Sequence, residues 1–437
     1  MVRCWLALAV VGLLTCSPAS ASPPDYPSDY RLKAFSLPEP GGRFGIGTLS
    51  FVVPVAGGDP LRVIAWYPAR KTTDAPAPYL DAAEQRVQAP AIARNFRWPP
   101  QAMSDVATLP THAHTDARIA PGRFPLLIFS HGYMSYPREN TALMERLASR
   151  GYIVFSLAHP GDAADIPTQD GVIPTVSAQG QKQPDSDRLQ AFWRGSDDRS
   201  RKRALPEFWE ALHGGRMLES LGRWRSDILS LTDAVESRRL PPEARTIEAA
   251  ADINRLAYLG WSFGGSSSAS ACETDRRCRA AVNLDGFEFD EHLYDRRMRM
   301  PLMLIQSDWS TYPNMGPASR DYTVYDYAYE RWNDAGSTPS VYRFRISGIS
   351  HLGLTDLVLA PRDPVRDRMF GPADGAVVVE EVNDLVETFL DHYVADRPTD
   401  LLAVAAKYPG VTAHAANEIR HWRNEERPLD GHAGGAP

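Results

Sequence analysis

The chain reads as an α/β protein in which helices cover both faces of a mostly parallel central sheet, and three observations predict this. Short, almost wholly apolar runs at 125–130, 152–157 and 301–306 have the composition of strands buried on both faces. Apolar residues at helical spacing follow such runs, and strand and helix patterns alternate from about Leu61 to Tyr393. The third observation is Gly260-Trp261-Ser262-Phe263-Gly264, a Gly-x-Ser-x-Gly pentapeptide between the strand-like run 255–259 and the small residues 265–271. Strand, sharp turn and helix is the context of a nucleophile elbow, so the expected architecture is the α/β-hydrolase fold.

Taken in order, the chain starts with Arg3, an apolar run at 5–14 and the small-residue pattern Ala19-Ser20-Ala21. This predicts a signal peptide over 1–21, too short to span a bilayer as a mature helix, and export to the periplasm or the exterior. Cys16 offers a lipoprotein alternative, against which stands the bulky Thr15 before it. A single α/β-hydrolase domain is expected over 22–423, with polar insertions at about 81–122 and 161–214 that enter at strand ends, where lids grow. Within the first, His112, His114 and Asp116 look metal-like, but no further ligand cluster supports them and a solvated loop is expected.

The run 125–130 leads into His131-Gly132-Tyr133, the place for one half of an oxyanion hole: the N–H of Tyr133 would act with that of Phe263, the residue after the serine. His159 follows the strand 152–157 and is expected to form a pocket wall. From 185 to 209 the chain turns charged and aromatic, which suits a solvated lid helix and could also touch a lipid headgroup transiently. Met217, Leu221, Trp224, Ile228, Leu231 and Val235 form a core-facing helical stripe, as do Val378, Val382, Leu385, Val386 and Phe389.

At the elbow, a serine held in a strained turn projects its hydroxyl into a cleft, and the glycines two positions either side give strand and helix room to close. Such a serine needs a base. His351 follows the strand 341–346 and completes the Ser, acid, His chain order of this fold. His392 falls in a helix, and His414 and His421 in a polar tail. Two aspartates stand at intervening strand ends, Asp285 after 280–284 and Asp308 after 301–306, and the residues alone leave both open as the acid. Cys272 and Cys278, the cysteines remaining after signal cleavage, are expected to pair in an exported protein and to secure the end of the elbow helix. The end of the chain, 424–437, reads as a disordered tail.

Composition suits a globular enzyme: 43% of residues are hydrophobic and 23% charged, with a net charge of −7 that offers no basic field for nucleic acid. No cofactor or metal is called for, and no pattern bears on oligomeric state.

The blocks LLIFSHGYMSYPRENTALMERLASRGYIVFSLAHPGD, GWSFGG, AVNLDGF, PLMLIQSDW and GISHLGLTD together resemble the platelet-activating-factor acetylhydrolase family, between about 125 and 355. The resemblance implies that Asp285, in the Leu-Asp pair after the elbow, is the acid. It also implies calcium-independent, cofactor-free removal of short or oxidised acyl chains from phospholipids, a 1-alkyl-2-acetylglycerophosphocholine esterase-like activity. It does not account for 161–214. Other esterases, lipases, dienelactone hydrolases and polyester or cutin hydrolases share the fold and triad, and a polyester hydrolase would favour Asp308. A binding module on a decayed hydrolase fold would be expected to lose the serine, its glycines or the histidine, and all are present.

Overall fold

The computed structural model describes residues 26–176, 187–188, 191, 198–213, 215–294, 296–308, 328–329 and 341–414. The expected signal peptide with Cys16, part of the 161–214 stretch, His421 and the expected tail lie outside these residues.

The strands are β1 Gly45–Val53, β2 Leu61–Ala69, β3 Ala113–Thr115, β4 Phe124–Ser130, β5 Ile153–Leu157, β6 Ile166–Thr168, β7 Gly171–Ile173, β8 Ala251–Trp261, β9 Cys278–Leu284, β10 Leu302–Gln306, β11 Val341–Ile346 and β12 Val411–His414. All but β6 and β7 belong to one sheet, in the order β12-β11-β10-β9-β8-β4-β5-β2-β1-β3. From β5 across to β11 the pairing is parallel. Beyond these, β2 and β12 each join antiparallel. The chain leaves β4 toward β5 and leaves β8 toward β9, in opposite directions. A crevice therefore opens where the C-terminal ends of β4 and β8 lie side by side, the usual ligand position in open α/β sheets.

The helices are α1 Ala82–Asn95, α2 Thr141–Arg150, α3 Asp198–Leu212, α4 Arg216–Glu236, α5 Arg245–Ala250, α6 Phe263–Thr274, α7 Pro364–Phe370, α8 Gly375–Tyr393 and α9 Leu401–Ala405. Alternation along β4 supplies both cores. Leu126 and Ile128 pack with Trp224, Ile228 and Leu231 of α4 on one face. Leu127 and Phe129 pack with Leu147 of α2 and Leu385 and Phe389 of α8 on the other. β4 is buried at every position, which is why its sequence shows no polar alternation.

Several local expectations are corrected. The 81–122 stretch is no polar loop: α1 starts with a capping box in which Asp81 and Glu84 satisfy each other's backbone N–H groups. Met103 and Val106 after it join the core. Its polar residues are spent inside the fold, as when Arg138 donates to Glu84 at 2.7 Å. His112 is not a solvated loop residue, since its Nδ1 lies 2.9 Å from Glu145 Oε2, and His114 lies in β3. α3 is not a solvated lid helix, because Phe208 and Leu212 are buried in the core. Phe208 packs edge-on to Phe287, with centroids 5.5 Å apart. His414 lies not in a tail but in β12, opposite Arg343. Cys272 and Cys278 are joined by a disulfide that ties the end of α6 to the start of β9.

Candidate active site

Ser262 stands between β8 and α6 with φ 55° and ψ −127°, a conformation that L-residues rarely adopt and that neighbouring structure must hold. Its N–H donates to Leu284 O at 2.7 Å and its carbonyl accepts from Gly265 N at 2.9 Å. The elbow glycines serve space. A Cβ on Gly260 would lie 2.2 Å from the Gly264 carbonyl carbon, and one on Gly264 would lie 2.0 Å from Ser130 O. Strand, turn and helix can approach this closely only with no side chain at either position.

His351 comes from the turn after β11 and is 7% exposed. Its Nε2 lies 2.8 Å from Ser262 Oγ, and its Nδ1 lies 2.7 Å from Asp285 Oδ2. A carboxylate can only accept, so the proton sits on Nδ1 and the Nε2 lone pair faces the serine hydroxyl. The ring leans on Trp261, with centroids 4.7 Å apart, and the Trp261 indole donates to His351 O at 3.2 Å. This packing fixes the imidazole plane.

Asp285 follows β9, is buried, and also has a positive φ, 56°. Besides the imidazole, its carboxylate accepts from Ser307 N at 2.9 Å and from Ser307 Oγ at 2.6 Å. Asp308, the other aspartate considered as acid, has a different contact: its Oδ2 accepts from Gly348 N at 3.0 Å, while its N–H donates to Ile349 O at 3.0 Å. It thereby ties the end of β10 to the turn that delivers His351. Both aspartates serve the imidazole's position, but Asp285 is the one on its ring nitrogen.

The loop His131-Gly132-Tyr133 lies against the elbow, and a Cβ on Gly132 would stand 2.2 Å from Trp261 Cζ3 and 3.3 Å from Ser262 Cβ. The loop is strapped from two sides. Gly132 N donates to Glu139 Oε1 at 2.8 Å, and Met134 N donates to Asp162 O at 2.7 Å. Phe263 opens α6, so its N–H belongs to the helix's first turn, which lacks intrahelical acceptors and carries the positive end of the dipole. The Tyr133 and Phe263 rings meet edge-on, with centroids 5.7 Å apart.

Sequence reasoning missed Ser307, Glu139, Asp162 and Trp224 as parts of this arrangement. Ser307 had a signal in its place beside Asp308 at a strand end, but polar residues at strand ends are common. His159 is no pocket wall. It is fully buried behind the loop, stacks on Trp224 at 3.7 Å and pairs through Nδ1 with Asp227 Oδ2 at 2.9 Å. Among the described residues no group of three or more His, Cys, Asp or Glu could hold a metal ion. No described helix is long and apolar enough to cross a membrane.

Close to the site, Glu288 accepts from Ser266 Oγ at 3.1 Å and from Tyr329 OH at 2.5 Å. Burial, reinforced by the Asp290 charge, pushes its carboxyl up to about 8. The sign follows from proton counting. Between the ordinary 4.5 and about 8 the folded chain holds a proton that the unfolded chain releases, so this group's contribution to stability falls as pH rises through that window. Its slope is at most about 1.4 kcal/mol per pH unit. Glu288→Gln should flatten the decline of unfolding free energy between pH 5 and 8 in denaturant titrations, and an unchanged slope would contradict it.

Three comparisons show which known proteins the chain is similar to. The family model described as platelet-activating factor acetylhydrolase, isoform II, matches residues 38–317, a span that takes in Ser262, Asp285 and the 131–133 loop and ends before His351. A platelet-activating factor acetylhydrolase from Bos taurus is 27% identical over 217 residues, which cover 47% of this chain and 45% of the relative. One from Gallus gallus is 21% identical over 215 residues, 46% of this chain and 49% of the relative. The chain thus spans about half the length of these relatives. A ferulic acid esterase from Streptomyces cinnamoneus superposes with a TM-score of 0.62 over 87% of this chain and 99% of its own, at 21% identity, a likeness of fold.

Proposed function

The chain belongs to the platelet-activating factor acetylhydrolase, isoform II, family, and from that premise we propose that it is a serine-dependent carboxylic ester hydrolase acting on short or truncated acyl groups of phospholipid-like or other small esters. The observation that carries the reading is the relay from Ser262 through His351 to Asp285, with contacts of 2.8 and 2.7 Å, at a strained elbow. In the proposed cycle Ser262 Oγ attacks the ester carbonyl as its proton passes to His351 Nε2. Asp285 stabilises the imidazolium, and the Tyr133 and Phe263 N–H groups receive the developing oxyanion. The imidazolium then protonates the leaving alcohol, and water activated by the same imidazole releases the acid and restores the serine.

The choice of small acyl groups is supported by the acetylhydrolase family to which the chain belongs. Trp224, Phe263, Phe287 and Phe289 are each at most 1% exposed. Phe263 contacts Trp224 at 4.8 Å and Phe289 at 5.2 Å between centroids, so the residue after the nucleophile is anchored in the core. Purified protein should hydrolyse p-nitrophenyl acetate and an sn-2 acetyl phospholipid with kcat/KM falling as the acyl chain lengthens, in the presence of EDTA. Strong preference for long-chain triglycerides or solid polyester would overturn the substrate class, and zinc- or calcium-dependent recovery from EDTA would overturn the metal-free mechanism.

Export is part of the same reading, supported by the 1–21 leader pattern and by the Cys272–Cys278 bridge, since disulfides persist in oxidising compartments. The intact mass of protein recovered from outside the cytoplasm should correspond to a chain starting at Ser22, two hydrogens lighter than its reduced form. A lipidated start at Cys16, or two free thiols, would contradict it.

A further inference from the structure

Asp162 lies in the turn after β5, its side chain fully buried, and gathers four N–H groups from three side chains of α4. Arg216 donates to Oδ1 through Nε at 3.0 Å and also through Nη2. Arg223 Nη2 and Trp224 Nε1 donate to Oδ2 at 2.8 and 3.0 Å. A buried carboxylate is tolerated only when so paired, and removing its charge leaves the guanidiniums without their counter-ion.

What this cluster touches matters more than its own pairing. The Asp162 carbonyl accepts the Met134 N–H at 2.7 Å, one residue beyond Tyr133. Arg216 Nε also donates to the Tyr133 hydroxyl at 3.0 Å. The Trp224 ring, held by its indole N–H on Asp162, stands 26° from the Tyr133 plane with centroids 6.5 Å apart, and meets Phe263 edge-on at 4.8 Å. Asp162 thus secures the side chain of Tyr133 and the indole on which both Tyr133 and Phe263 lean through its carboxylate, and the backbone that follows Tyr133 through its own carbonyl. We infer that Asp162, acting through Arg216 and Trp224, is a positioning residue that sets the spacing between the Tyr133 and Phe263 N–H groups of the oxyanion hole. The inference rests on the serine hydrolase reading and adds to it a residue that touches neither substrate nor triad. The physical reason is preorganisation: donors stabilise a developing oxyanion only when they are already placed for it, and a shift of about 1 Å can cost on the order of 100-fold in rate.

Two variants test this. Asp162→Asn keeps the size and an acceptor but loses the charge; Tyr133→Phe removes only the hydroxyl on Arg216. With p-nitrophenyl acetate, Asp162→Asn should lower kcat ~10- to 100-fold, less than or comparable to losing a whole oxyanion donor, with KM changed less than about threefold. The inhibition constant of an aryl trifluoromethyl ketone, whose hemiketal oxygen occupies the oxyanion hole, should rise by the same factor as kcat falls. Tyr133→Phe should show the same pattern at roughly 3- to 10-fold, and it alone decides the matter if Asp162→Asn fails to fold. Unchanged kcat, a loss confined to KM, or a ketone affinity that does not follow kcat would overturn the inference. Organophosphonate labelling of the wild-type chain separates the two levels. Labelling at Ser262 with unimpaired variants sinks the positioning role alone, whereas labelling elsewhere sinks the hydrolase reading beneath it.

Discussion

Ser262→Ala should lower ester turnover about a million-fold while the protein stays folded, the scale of loss when the nucleophile of a serine relay is removed. The expectation rests on the 2.8 Å approach of His351 Nε2 to Ser262 Oγ. Water would have to replace a hydroxyl delivered ready-oriented to its base, and the oxyanion donors would then assist only slow background attack. The fold should survive because the elbow's requirement for close packing falls on Gly260 and Gly264, whereas position 262 already carries a Cβ. An organophosphonate should label Ser262 in the wild-type chain and leave the alanine variant unlabelled. Retained turnover in the variant, with circular dichroism unchanged, would remove Ser262 from the mechanism.

Asp285→Asn carries the second large effect, about four orders of magnitude in kcat. An asparagine can present its N–H₂ to His351 Nδ1, which stabilises the tautomer with the proton on Nε2 and leaves the serine without a base. Ser307 would then face an amide where it now donates twice to a carboxylate. Asp308→Asn should cost less than about tenfold, because the amide oxygen can still accept the Gly348 N–H that Asp308 Oδ2 accepts at 3.0 Å. The pair is read from kcat and from the pH–rate profile. If Asp308→Asn proved the more damaging, the acid would have to be reassigned.

Much of the sheet was legible because parallel strands buried on both faces read as nearly unbroken apolar runs, as in β4, β5 and β10, while β11 showed itself by the alternation of Tyr342, Phe344 and Ile346 with Arg343 and Arg345. The α4 and α8 stripes were legible because their spacing is set by the helix itself. β1 and β12 escaped notice because their residues are mixed, β12 at the sheet's edge and β1 one strand in from the other: Gly45, Gly47, Thr48 and Ser50 lie in β1, and Thr412 and His414 in β12. The helices α1 and α3 looked polar for a different reason. Glu84 and Gln88 in α1 are buried, and in α3 a charged stretch carries Phe208 and Leu212 inward on one face. Composition averaged over a window cannot distinguish a charge in solvent from one in a buried ion pair.

The amino-acid sequence by itself determined the fold class, the elbow at Ser262 and the late loop carrying His351, because each follows from local rules: a strand's apolar run, a turn that needs room, a histidine at a strand's end. It left two aspartates at equivalent strand ends. Only the tertiary structure decided which carboxylate meets the imidazole, since that depends on sheet order and on a positive φ at Asp285 that turns its carboxylate toward His351 and Ser307. Asp162 likewise has no local signature: it lies 54 residues from Arg216 and 62 from Trp224. Hydrogen bonds over such separations are set by how α4 packs beside the oxyanion loop, a matter of three-dimensional closure on which the spacing of residues along the chain is silent.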